Sequence, residues 1–147
     1  MKKIYMINVS IILILVLTAG ISKMPESRQS QMKALISDRI CVLNDYYGGK
    51  INFPKAKELL ESKEKGDILS SDLNNLKNYD STDIEKILSF KIKDFQYKES
   101  SFGYVQGKVK ILWRIEDLNK KYSYRQEYEF IIETSNSSYK ITKFNKI

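Results

Sequence analysis

The sequence predicts an α+β domain, helices first and then a four-stranded antiparallel sheet, behind an N-terminal apolar helix. Three observations carry this expectation. Through the first half, apolar residues recur three and four positions apart, the spacing of a helix with one face turned to a core. From residue 89 the period drops to two, the spacing of a half-buried strand. Ahead of both, Ile4 to Ile21 is an apolar run interrupted only by Asn8, Ser10 and Thr18.

That run follows Lys2 and Lys3 and contains no charge. As a helix it would span about 27 Å at ~1.5 Å per residue, enough for a bilayer core. Two readings of residues 1–23 stay open. One is a single-pass membrane anchor, with the N-terminus inside by the positive-inside rule. The other is a signal peptide, with Thr18 and Gly20, or Gly20 and Ser22, as the small residues before a cut. Either places the remainder outside the cytoplasm, membrane-anchored or secreted. Residues 24–30 are polar, include a proline and read as a linker, and 31–147 read as one domain.

The first helix of that domain aligns Met32, Leu35, Ile36, Ile40, Leu43 and Tyr47, and Gly48-Gly49 ends it. Cys41, the only cysteine, can form no internal disulfide and is expected to be buried as a small hydrophobe. A second helix opens at Asn52-Phe53-Pro54, where proline needs no backbone donor, and turns Ala56, Leu59 and Leu60 inward. A weaker third covers residues 71–79 with Leu73 and Leu76 on one face. Ser81-Thr82-Asp83 offers an N-cap for a short run of Ile84, Ile87 and Leu88.

The strands follow. Residues 89–98 change phase across Asp94, which predicts a bulge. Odd positions from Val105 to Ile115, including Trp113, form one apolar row. Even positions from Tyr122 to Ile132, including Tyr124, Tyr128 and Phe130, form the next, and both rows are expected to face the core. Residues 138–144 close the meander after a turn at Ser135-Asn136-Ser137.

The net charge of +7 invites an anionic partner, but its distribution argues otherwise. Acidic and basic residues balance over 23–88, and the excess falls in 89–147. Because one buried row is odd and the other even, Lys108 and Lys110 must face Glu127 and Glu129 or near neighbours, whatever the hairpin register. The outer face is thus expected to be largely self-paired, and nucleic acid is not the expected partner. The absence of histidine removes His-dependent nucleophilic and general-base chemistry. With one cysteine as well, zinc is excluded, and no nucleotide, dinucleotide, hydrolase-elbow or EF-hand motif occurs. No metal or cofactor is expected.

On this order of elements the chain resembles the NTF2-like (cystatin-like α+β) superfamily from about Ser30 to its end. The likeness rests on the helix ending in Asp45-Tyr46-Tyr47-Gly48-Gly49 and the helix at Pro54 to Leu60. It rests also on the long hairpin Val105–Ile115/Tyr122–Ile132 and the closing strand Tyr139 to Phe144. The resemblance implies a cone: two to four helices on the sheet. Enzymes of that fold use an Asp–His pair or an Asp with a tyrosine oxyanion hole, so Asp45 beside Tyr46 is the weak catalytic candidate. Trp113, Tyr128 and Phe130 are the candidate lining of an apolar ligand pocket. An anchored, extracytoplasmic domain of this kind also looks like the VirB8/TcpC-type components of conjugative secretion channels, which are non-catalytic scaffolds. The expected function is therefore a non-catalytic domain making protein–protein contacts or self-associating at the bacterial cell envelope, held to the membrane through residues 4–21. Alternatives are a small-ligand-binding cone, or a lyase or isomerase using Asp45.

Overall fold

The apolar stripe of the first helix becomes α1, Arg28–Tyr47, which buries Met32, Ile36 and Ile40 at four-residue intervals. The computed structural model describes residues 27–80, 85–100, 102–117, 120–136 and 138–147. The expected leader, the Ser81-Thr82-Asp83 cap with Ile84, and part of the linker lie outside them. No helix among the described residues is long and apolar enough to cross a membrane. Residues 28–30 belong to α1.

The chain leaves α1 through Gly49, whose φ of 70° is the left-handed conformation glycine accepts without a Cβ clash. Helix α2, Phe53–Glu61, is capped by Asn52, whose side chain accepts from the Lys55 amide at 3.0 Å. Helix α3, Asp67–Lys77, starts four residues before the sequence reading places it, because Ile68 is a core residue one turn ahead of Asp72. Asp67 and Lys77 stand at the ends that favour their charges. Val42, Ala56, Leu60 and Leu76 form a small core between the helices.

Four strands follow in meander order: β1 Lys86–Glu99, β2 Tyr104–Asp117, β3 Lys120–Ser135 and β4 Ser138–Lys146. Ile87 and Leu88 belong to β1 rather than to a helical turn, since Ile87 pairs with Ile115. The register shifts at Leu88 and again at Lys93, next to the expected phase change at Asp94. Such bulges, with Lys86, Lys91, Lys93 and Lys98, discourage edge pairing by this outer strand. The β2–β3 register sets Val105, Val109, Ile111, Trp113 and Ile115 on the inner face with Phe130 and Ile132. Met32, Ile36, Ile40 and Ile68 pack against that face. The result is an α+β unit over residues 32–147, three described helices on an open four-stranded sheet, consistent with an NTF2-like cone.

Two expectations need correction. Cys41 is exposed, because it falls outside the stripe defined by Ile36 and Ile40. Tyr122 and Tyr124, expected in the core, are 43% and 39% exposed. Length explains this. The 20-residue α1 spans about 30 Å, while the 16 residues of β3 span roughly 53 Å, so the strand outruns the helical layer.

The inner face is tightest at Gly107, which pairs with Phe130. A Cβ there would lie 2.1 Å from the Gln96 carbonyl oxygen and 2.6 Å from Phe130 Cζ. The Phe130 ring instead fills that space and stacks on Phe95 with centroids 4.9 Å apart. Gly107→Ala should therefore lower stability by about 3 kcal/mol, at the upper end of overpacking effects, because a backbone oxygen cannot step aside as a side chain can. Urea denaturation measures this, and a loss within error of zero would show that the strands separate freely at that point.

Candidate functional site

Three charged side chains meet in the interior. Arg39 lies on the buried side of α1 and is only 9% exposed. Asp72 sits on α3 between Ile68 and Leu76, on the same face as both, and is 7% exposed. Glu64 follows α2 and is 0% exposed. Its position is set by the backbone. The Lys65 amide donates to the Ile141 carbonyl at 3.1 Å and the Ile141 amide donates to the Lys63 carbonyl at 2.8 Å. This short parallel pairing fixes Glu64 against β4.

The Arg39 fork engages both carboxylates. Nε donates to Glu64 Oε1, and Nη2 donates to Asp72 Oδ2 at 2.6 Å. The guanidinium carbon lies 5.0 Å from the centroid of the Phe144 ring, a cation–π contact that joins β4 to the cluster. Glu64 Oε2 accepts no hydrogen bond among the described residues.

Charge counting explains the proton content. One cation and two ionised carboxylates would leave a net negative charge in an apolar wall. Burial drives the Glu64 carboxyl up to about 8, against the pull of Arg39 and with the help of the Asp72 charge. With the proton on Glu64, Arg39 balances Asp72 and the cluster is neutral. The Tyr47 phenol is likewise raised, by burial first and then by Asp72. The arrangement can hold and release a proton, but it offers no carboxylate to a substrate.

The other candidates lie elsewhere. Asp45 is in the exit turn of α1, ion-paired with Lys50 Nζ at 2.9 Å. Its own carbonyl accepts from the Lys50 amide at 2.8 Å. The adjacent Tyr46 hydroxyl is turned away and donates to the Leu76 carbonyl at 2.9 Å. Asp45 and Tyr46 thus form no carboxylate–phenol pair. Trp113 and Tyr128 meet edge to face with centroids 6.3 Å apart, and Phe130 follows in the same row. Trp113 and Phe130 are buried and Tyr128 half-buried, so this row is packed rather than hollow.

Two open grooves are present at the sheet surface. One of about 540 Å³ is bounded by Lys65, Ser100, Tyr104, Gln106 and Glu133, and a second of about 470 Å³ by Gln96, Lys98, Lys108, Glu129 and Lys143. Phe130 reaches the second, whereas Trp113 and Tyr128 border neither. Among the described residues no cluster of three His, Cys, Asp or Glu side chains could hold a metal.

The sequence reading missed the triad. Two signals were present: Arg39 falls on the stripe of Ile36 and Ile40, and Asp72 lies midway between Ile68 and Leu76. Glu64 gave none, since its burial depends on pairing with a strand 77 residues later.

No protein-family model matches the chain, and no curated protein does. Solved structures do. The crystal structure of the intermembrane space region of chloroplast protein ARC6 superposes with a TM-score of 0.55 at 13% identity, covering 84% of this chain and 98% of that one. An Ntf2-like, potential transfer protein, TraM, from the Gram-positive conjugative plasmid pIP501, aligns with a TM-score of 0.42 at 15% identity, over 78% of this chain and 96% of that one. A de novo designed β-sheet protein aligns with a TM-score of 0.40 at 14% identity, over 78% and 85%. At 13% identity the likeness to the ARC6 region is one of fold.

Two outcomes follow from the triad. Arg39→Met leaves the buried Asp72 carboxylate without its cation and Glu64 without its donor, and should cost about 3–5 kcal/mol, whereas the triple variant Arg39→Met/Glu64→Leu/Asp72→Leu, with apolar side chains of similar size, should recover most of it. Calorimetry of the two variants checks this, and equal losses would show that packing and not charge sets the cost. The second outcome concerns pH. The folded value for Glu64 is about 8 against 4.5 unfolded, so the native state holds the proton more tightly. Its contribution is complete below the unfolded value and is lost as pH rises through about 8. Relative to Glu64→Gln, the wild type should lose stability across that window at up to about 1.4 kcal/mol per pH unit, and level off above it. A constant difference between their urea midpoints from pH 5 to pH 9 would refute the shared proton.

Proposed function

We propose that the chain is a non-catalytic NTF2-like domain, exported or membrane-held by its apolar leader, that makes protein–protein contacts at the cell envelope. The observation that supports this most is the display of Phe102. The described residues flanking Phe102 are hydrogen-bonded. The Ser100 amide donates to the Tyr104 carbonyl at 2.8 Å, and the Thr134 amide and hydroxyl both donate to the Gly103 carbonyl, at 2.7 and 3.0 Å. Gly103 takes a φ of 75°. Beside these bonded residues Phe102 is 83% exposed, far more than any other large apolar side chain described. An aromatic side chain held out in this way is the kind of group that anchors protein interfaces.

The charged triad supports the same reading from the opposite side, because the strongly shifted carboxyl among the described residues, Glu64, is buried away from any substrate. A second reading, an apolar ligand site, draws on Tyr122 and Tyr124, which lie exposed in register with Ile115 and Trp113. A hydrophobic ligand at 100 times its Kd would then raise stability by about 2.7 kcal/mol in a thermal-shift screen.

The deciding experiment is crosslinking of the tagged full chain in its native envelope, with Phe102→Ser and Asp45→Asn beside the wild type. Partner recovery should fall several-fold for Phe102→Ser, while Asp45→Asn should leave it unchanged. Undiminished recovery with Phe102→Ser would remove the turn from the interface.

A further inference from the structure

The outer face of the sheet is charge-matched along part of its length and conspicuously unmatched along the rest. Lys108 and Lys110 reach Glu127 at 3.7 and 3.4 Å, and Lys143 reaches Glu129 at 2.6 Å. Towards the far end, Lys121 reaches Glu116 at 3.8 Å. Between these paired rows lie two that contain no acid. Lys91, Leu112 and Arg125 stand in register across β1, β2 and β3, and the next row is Ser89, Arg114 and Ser123. Lys91, Arg114 and Arg125 are exposed and share no ion pair among the described residues. Leu112, at the centre of the three cations, is half-buried.

We propose that this face, formed by Lys91, Leu112, Arg114 and Arg125, docks an extended acidic segment of a partner protein. The proposal rests on the protein-contact reading above and names the partner's chemistry. Like charges grouped on one face repel one another, and the acids of the adjoining rows are engaged elsewhere, Glu127 by Lys108 and Lys110, Glu116 by Lys121 and Asp94 by the Gln96 side chain. Their spacing fits an extended chain. Arg114 and Arg125 are diagonal neighbours, roughly 7–8 Å apart, and carboxylates at alternate positions of an extended peptide are about 6.6 Å apart on one side. Arginine offers each carboxylate a two-pronged donor. Leu112 between them gives an apolar contact at the centre with a charged rim, the arrangement of a protein interface rather than of a purely electrostatic phosphate track.

The test uses the full chain in non-ionic detergent and a fluorescein-labelled ten-residue peptide alternating Glu and Val, read by fluorescence anisotropy at low salt. Arg114→Glu/Arg125→Glu should weaken binding at least tenfold and Leu112→Ser several-fold, and a peptide with Ser in place of Val should bind more weakly than the parent. Arg114→Gln/Arg125→Gln guards against misfolding: it should lose binding while keeping or raising the thermal midpoint, since it removes repulsion. Unchanged affinity in both double variants would overturn the proposal. So would tighter binding of an oligothymidylate or of mixed micelles containing phosphatidylglycerol that is lost in the same variants, because the face would then read phosphate. In the envelope crosslinking experiment, partners retained by the double variants would sink this surface alone, whereas a wild type without partners would sink the contact function itself.

Discussion

The Arg39 guanidinium is the point on which the helices and the closing strand converge. It is carried by α1, bonded to Asp72 of α3 and to Glu64 beyond α2, and laid over Phe144 of β4. Each contact by itself is ordinary. Together they fix three helical segments against one strand in a direction that apolar packing, being non-directional, leaves open. The pairing of residues 63–65 with Ile141 supplies the same constraint through the backbone. It also covers part of β4, which would otherwise present a bare edge. The β1 edge is handled differently, by bulges and lysines.

The hairpin register is the second constraint, because it assigns every charge and every aromatic ring to a face. A shift by one residue would leave the apolar row of only one strand on the inner face, turning either Val109 and Ile111 or Phe130 and Ile132 outward and bringing that strand's charged residues into the core. Gly107 sharpens this further. Only with glycine opposite it can Phe130 lie flat on the sheet and stack on Phe95, so the aromatic layer and the strand pairing specify each other. On the outer face the same alternation brings lysines of β2 against glutamates of β3, and it leaves Arg114 and Arg125 beside serine and leucine instead.

Much of this fold was legible in the sequence because periodicity is a local property. The change from 3.6 to 2 located helices and strands, the odd–even parity of β2 and β3 gave the Lys–Glu pairing, and the phase change at Asp94 lay next to the Lys93 bulge. The failures share one cause. Burial at Tyr122, Tyr124 and Cys41 depends on what covers them, and covering is a tertiary property that the spacing of one element does not contain. Glu64 is the extreme case. Nothing near it in the sequence separates it from Glu58 or Glu61, which are exposed on α2. The Asp45–Tyr46 pair failed for a related reason, since neighbours in sequence at a helix end point in different directions.

Covering also decides where activity can reside. A carboxyl raised towards neutrality is often the mark of a catalytic site, but the inference needs access as well as a shifted value. Glu64 has the shift without the access: burial is its first cause, and burial also closes the site. Asp45, the carboxylate candidate of the sequence, is partly exposed but is held by Lys50 in a surface turn. The two requirements therefore fall on different residues. What the surface does present is exposed apolar and cationic groups, at Phe102 and at Arg114 and Arg125 around Leu112. Those are requirements for holding another protein rather than for transforming a small molecule, and they favour the contact function over the lyase or isomerase alternative.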